Sequence, residues 1–244
     1  MKIIAHRGLS GLYPENTILA FKKCLDLDIY GVELDVQKSK DNQLVVIHDE
    51  TVDRTFQGSG YVKDMTLQEL KSLKSRFEYY KNYEDCKVPT LKEVLLLFKP
   101  TNLIINIELK NSKIKYKNLE KDVINLVKEL QMERRVFISS FRLSSVRKVK
   151  KLYPKINRGY LVGEKLYKYR LKNLILYNCI KNKCNYLCLN ASIANKKFIK
   201  KCHRRDMEVI CYTVNKIEDY NHLLSLKVDG VFTNFPNVFS SLNQ

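Results

Sequence analysis

Nine apolar, strand-like runs recur along the 244-residue chain, with helix-patterned segments between most of them. This alternation constrains the fold more than any other feature. The runs are Ile3–His6, Gly31–Gln37, Leu44–His48, Leu103–Lys110, Val136–Ser140, Arg158–Val162, Tyr186–Asn190, Val209–Val214 and Gly230–Thr233. Helical periodicity fits Glu15–Leu27, Leu67–Leu73, Leu91–Phe98, Leu119–Gln131, Ser144–Leu152, Lys168–Lys181, Asn195–Arg205 and Ile217–Leu226. Strands alternating with helices of this length imply a parallel sheet and an α/β architecture, closed as a barrel or left open.

An eight-stranded barrel would leave one run over. The stretch from Gln37 to Gln43 is too short for a helix, so a tight turn at Asp41-Asn42 predicts a hairpin and a short extra strand. A two-residue turn there would set Asp35 opposite His48. Residues 51–89 are polar, contain Gly58 and Gly60, and show little strand pattern. They read as a small insertion over one end of a single domain spanning residues 1–244. Thr66 with Glu69, and Thr90 with Glu93, have the spacing of capping boxes at two helix starts.

Hydrophobic residues make up 45% of the chain and charged residues 29%, which excludes a disordered protein. The net charge of +18 favours anionic partners, although a Lys-rich composition produces the same excess. The densest basic run, residues 196–205, puts Phe198, Ile199 and Cys202 on one side and reads as a solvated helix face. No nucleic-acid-binding signature accompanies it, so nucleic acid is not an expected partner. Seven cysteines, none in a C-x-x-C pair, fit reduced core thiols of a cytoplasmic protein. Neither a signal peptide nor a membrane span is expected; transient contact with a membrane surface is compatible with the charge. The oligomeric state is not legible from the sequence.

Two of the four histidines end strand-like runs beside a charged residue, as His6-Arg7-Gly8 and His48-Asp49. Barrel enzymes keep their chemistry at strand ends. Glu33 and Asp35, two apart on a strand, share one face, as do Asn106, Glu108 and Lys110. Three acids from two strands suit a hard divalent ion such as Mg²⁺ or Ca²⁺. A salt-bridge network around Lys110 or Arg7 is the alternative. His6 and His48 could serve as an acid–base pair at a bridging oxygen, with Arg7 and Lys110 offering positive charge to a phosphate.

These residues, taken in order, resemble the glycerophosphodiester phosphodiesterase family. His6-Arg7-Gly8, Pro14-Glu15-Asn16-Thr17, Glu33-x-Asp35-Val36, His48-Asp49 and Glu108-x-Lys110 match its motifs, as do Thr213-Val214-Asn215 and Thr233-Asn234-x-Pro236. The resemblance implies a TIM (β/α)8 barrel with an insertion after the His-Asp motif. It implies a divalent metal on Glu33, Asp35 and Glu108, and general acid–base roles for His6 and His48. It implies phosphate contact by Arg7 and Lys110. Two positions depart from the family. Tyr212 stands where a Trp is often found and is expected to line the substrate site. Asn234 stands where an Asp is common.

The expected reaction is hydrolysis of a glycerophosphodiester, such as glycerophosphocholine or glycerophosphoethanolamine, to sn-glycerol 3-phosphate and an alcohol. A phospholipase-D-like enzyme acting on lysophospholipids is one alternative. A non-catalytic barrel binding an anionic ligand is another.

Overall fold

The computed structural model describes residues 1–164 and 172–243. Eight parallel strands close into a barrel: β1 (Lys2–His6), β2 (Gly31–Lys38), β6 (Ile104–Leu109), β7 (Val136–Ser140), β8 (Asn157–Val162), β9 (Tyr186–Asn190), β10 (Glu208–Tyr212) and β11 (Gly230–Thr233). Their order around the barrel is β1-β11-β10-β9-β8-β7-β6-β2, and β2 pairs back onto β1. The chain is a TIM (β/α)8 barrel with one extra strand, β3 (Leu44–Val46), antiparallel to the far end of β2.

Alternation along each strand divides its side chains between two environments. On β2, Val32, Leu34 and Val36 point outward to the helices; on β6, Ile105, Ile107 and Leu109 do the same. The barrel interior is filled by Ile4, Phe137, Leu161, Tyr186, Cys188, Ile210 and Phe232. All seven cysteines are buried and unpaired by disulfides. No described helix is long and apolar enough to cross a membrane.

The hairpin corrects one expectation. Val36, Gln37 and Lys38 pair with Val46, Val45 and Leu44, so Asp35 meets Ile47, whose N–H donates to the Asp35 carbonyl at 3.0 Å. The connection is a three-residue loop closed by Ser39 and Gln43, with Asn42 left-handed at φ +62°. Three-residue loops of this kind suit Asn at the left-handed position. A one-residue change in loop length shifts every cross-strand partner by one. His48 therefore lies past β3, in a loop, and not across from Asp35.

Residues 51–89 contain a two-stranded ribbon, β4 (Phe56–Gln57) with β5 (Lys74–Ser75), and the helix Leu67–Ser72. Val52, Phe56, Val62, Leu70 and Val88 form a small apolar cluster with Val45 and Ile47 of the hairpin. Both expected capping boxes are present, at Thr66/Glu69 and Thr90/Glu93. The N-cap in each is worth about 1 kcal/mol.

Several helices are shorter than their periodicity suggests. The first covers Ile18–Lys22, because Thr17 caps it by accepting from the Ala20 N–H while Asn16 is left-handed at φ +56°. Leu119–Glu129 ends before Gln131, which is also left-handed. Lys172–Lys181 is helical; the expected start of that helix at Lys168 lies outside the described residues.

Candidate active site

Strand register brings the acids together. His6 neighbours Glu33 across β1–β2; Glu33 neighbours Asn106, and Asp35 neighbours Glu108, across β2–β6. All five project inward at the C-terminal mouth of the barrel, where the strands open into loops. One oxygen from each of Glu33, Asp35 and Glu108 lies within 4.8 Å of the others. Glu33 and Glu108 border a cleft of about 420 Å³ whose walls include His6, Arg7, His48, Phe141 and Tyr212.

The loop after β1 is built for close approach. Arg7 is left-handed at φ +60°, which turns its N–H onto Glu33 at 3.1 Å. Gly8, at φ +80°, passes the next helix so closely that a Cβ would stand 2.7 Å from the Ala20 backbone. The Arg7 side chain pairs with Glu15 at 2.8 Å and Asp35 at 3.2 Å. Lys110 pairs with Glu108 at 3.0 Å and Asp35 at 3.6 Å. Both cations are thus engaged with carboxylates.

Burial penalises every charge here, but the neighbours decide the outcome. Burial alone would raise Asp35; Lys110, Arg7, His48 and the Asn16 amide overcome it and hold that carboxyl well below its ordinary range. Burial pushes Glu33 well above its ordinary value, and the charges of Asp35 and Glu108 push it further. Glu108 is raised by burial and Asp35 despite Lys110. Arg7, Lys110 and Arg54 face four acids, Glu15, Glu33, Asp35 and Glu108, so ionisation of all four gives negative charge in excess. Asn106 adds a buried side-chain oxygen with no hydrogen-bond partner among the described residues. An all-oxygen donor set with surplus negative charge fits a hard divalent cation.

The two histidines differ in setting. Burial, aided by the Arg7 charge, lowers the His6 pKa to about 4, so the ring is neutral at neutral pH. Its Nδ1 lies 2.7 Å from Asn234 Oδ1, which can only accept, so Nδ1 carries the proton and Nε2 keeps its lone pair. His48 is more open. Its Nδ1 lies 2.6 Å from Asp49 Oδ1, Asp49 accepts from Arg54 at 2.5 Å, and Arg54 donates twice to Glu15 at 2.7 Å. Gln37 Nε2 donates to the carbonyls of Ile47, His48 and Asp49, fixing the loop that carries the ring.

Every residue singled out from the sequence lies at this mouth, with Asp35 and Lys110 beneath the cleft. Four residues were not singled out for a role. Glu15 orients two arginines, and Asn16 donates to Asp35 at 2.9 Å. Asn106 points into the cleft. Asn234 holds His6 and is itself held by Asn215, which accepts from its N–H at 2.9 Å. The Pro-Glu-Asn-Thr and Thr-Asn-x-Pro motifs contained the signal for three of them.

The chain matches the model of the glycerophosphoryl diester phosphodiesterase family over residues 6–238. It is 36% identical to the glycerophosphodiester phosphodiesterase of Caldanaerobacter subterraneus subsp. tengcongensis, over 98% of this chain and 96% of that one. It is 37% identical to the enzyme of the same name from Bacillus altitudinis, covering 97% and 95%. Among solved structures, an Oleispira antarctica phosphodiesterase in complex with its product sn-glycerol-3-phosphate superposes with a TM-score of 0.81 at 26% identity, covering 100% of this chain and 97% of that one. Register, charge and likeness agree: this chain belongs to the glycerophosphoryl diester phosphodiesterase family of phosphoric diester hydrolases.

Proposed function

We propose that the chain hydrolyses glycerophosphodiesters to sn-glycerol 3-phosphate and an alcohol, with a divalent cation held by Glu33, Asp35 and Glu108. The observation that carries this reading is the buried carboxylate cluster set between a neutral His6 and a solvent-connected His48. In this reading residues 1–244 act as one catalytic barrel and residues 51–89 form its rim.

His6 Nε2 accepts the proton of the attacking group, either water or the neighbouring glycerol hydroxyl; the latter closes a cyclic phosphodiester, which water then opens to sn-glycerol 3-phosphate. Nδ1 stays protonated against Asn234, so the ring takes up the proton in one orientation. His48 donates a proton to the departing alcohol oxygen as its bond to phosphorus breaks. Asp49 and Arg54 steady that ring. Lys110 and Arg7 lend charge to the phosphate from beneath, and Lys110 has three donors with which to reach a phosphoryl oxygen. Tyr212 and Phe141, whose rings meet edge-on at 5.8 Å, form the wall for the organic part of the substrate. A bound Mg²⁺ or Ca²⁺ would supply charge neutralisation at the phosphoryl oxygens.

The test is a substrate panel with Mg²⁺ or Ca²⁺ present. Glycerophosphocholine and glycerophosphoethanolamine should release sn-glycerol 3-phosphate. Cleavage of lysophospholipid alone would move the assignment to a lipid-directed enzyme. Absence of cleavage with either ion would sink the catalytic reading.

A further inference from the structure

The positive charge of this molecule is not spread over its surface. Residues 141–205 carry nineteen Lys and Arg and one acid, Glu164; the rest of the chain carries twenty-five of each sign. The whole excess of +18 therefore resides in about a quarter of the sequence. A Lys-rich composition would scatter cations among acids, so it does not account for this segregation. Folding does not account for it either, because crowded like charges repel and destabilise the compact state.

The fold gathers the described residues of this stretch on one flank. They build the adjacent strands β8 and β9 and the helices Leu143–Leu152, Lys172–Lys181 and Lys196–His203. Lys150 of the first helix donates to the Lys181 carbonyl of the second at 2.7 Å. Arg147, Lys151, Lys181, Lys197, Lys201 and Arg205 are exposed. Apolar side chains interrupt the charge. Leu174, Tyr177 and Ile180 are 48%, 55% and 45% exposed. Spaced three apart, they make one stripe on the outer face of Lys172–Lys181. A groove of about 470 Å³ beside the stripe is bordered by Lys172, Lys197, Phe198 and Lys201.

We propose that this flank docks on an anionic phospholipid bilayer. The cations meet headgroup phosphates while Leu174, Tyr177 and Ile180 enter the interfacial layer, where amphipathic surfaces of this make-up bind. A nucleic acid would use the charge but leave Leu174 and Ile180 against water, since base stacking needs aromatic rings. The docked face is a side of the barrel. The catalytic mouth then opens along the membrane, toward water-soluble diesters released near it.

Vesicle co-sedimentation of the full chain tests this. Vesicles of phosphatidylcholine with phosphatidylglycerol should retain the protein, pure phosphatidylcholine should not, and added salt should release it. Each cation at such a surface contributes roughly fivefold in partitioning. The triple variant Lys197→Glu, Lys201→Glu, Arg205→Glu should therefore lose at least on the order of a hundredfold. Leu174→Ser with Ile180→Ser should weaken binding at constant charge. Reversal of Lys63, Lys71 and Lys92, on the charge-balanced remainder, should change it far less. Turnover of a soluble diester should be unaltered in all these variants, which reports an intact fold. Equal retention on both vesicle types would overturn the proposal. So would equal losses from the two triple reversals, or tighter binding to duplex DNA that ignores the Leu174 and Ile180 changes.

Discussion

The two halves of the barrel mouth are built on opposite principles. The ends of β1, β2 and β6 present His6, Glu33, Asp35, Asn106 and Glu108, packed with Arg7 and Lys110. The opposite ends, from β7 to β10, present Phe141, Leu161, Asn190 and Tyr212. In the first half each charge survives burial only because another offsets it. In the second half the cleft wall is mainly apolar, and the buried Tyr212 hydroxyl has no hydrogen-bond partner among the described residues. Charge that must be placed to an ångström sits on adjacent, in-register strands. The shape that receives an organic group sits on the wall across from it.

The largest effects should fall on the charged half. Excess chelator should abolish turnover, and Mg²⁺ or Ca²⁺ should restore it; full activity in chelator would remove the metal from the site. His6→Ala and His48→Ala should each lower kcat by about 10²–10⁴-fold. Their thermal unfolding should stay close to that of the parent, and unchanged kcat in both would dissolve the proposed acid–base pair.

Most of that half could be read from the sequence because period-two alternation gives it away. Glu33 and Asp35 stand between Val32, Leu34 and Val36, and Glu108 stands between Ile107 and Leu109, so their common face follows without coordinates. What failed was the position of His48. The hairpin loop length turned on whether Asn42 would adopt a left-handed conformation, a difference of one residue that composition does not reveal. Asn234 and Asn16 act on His6 and Asp35 from 228 and 19 residues away along the chain. No local pattern encodes those distances. The wall opposite was less legible still: Leu161 and Asn190 resemble any strand-end residues until the barrel closes.

A smaller effect tests the internal balance of the charged half. Glu33 and Glu108 lie above their ordinary pKa values, so the metal-free site retains protons at pH values where free carboxylates are ionised. A cation binding there must expel them, and its apparent affinity should rise with pH by up to about tenfold per unit for each proton released. Titration calorimetry in buffers of different ionisation enthalpy reads the release directly. Buffer-independent heats would contradict the raised values.

Asn234→Ala removes the acceptor from His6 Nδ1 and should cost kcat about fivefold with KM little changed, one neutral hydrogen bond being worth about 1 kcal/mol. A loss confined to KM would place Asn234 on the substrate and not behind the histidine. Asn234→Asp tests the same contact by charge. An anion beside Nδ1 stabilises the imidazolium, so the His6 pKa should rise from about 4 and the acid limb of kcat/KM should move to higher pH.

The smallest effect belongs to the other half and gives the sharpest contrast. The Tyr212 hydroxyl is buried without a hydrogen-bond partner among the described residues, a burden of about 1–3 kcal/mol unless something binds it. Tyr212→Phe should therefore stabilise the free protein by about 1 kcal/mol, near 2–4 °C in Tm. If the hydroxyl meets the alcohol group of the substrate, the same change should raise KM a few-fold and leave kcat alone. Stabilisation together with raised KM would mean that this wall carries strain in the free enzyme that substrate relieves. Stabilisation with unaltered KM would make Tyr212 an aromatic surface and nothing more. A fall in Tm would show that the hydroxyl has a partner inside the protein, and the strain assigned to this wall would fail.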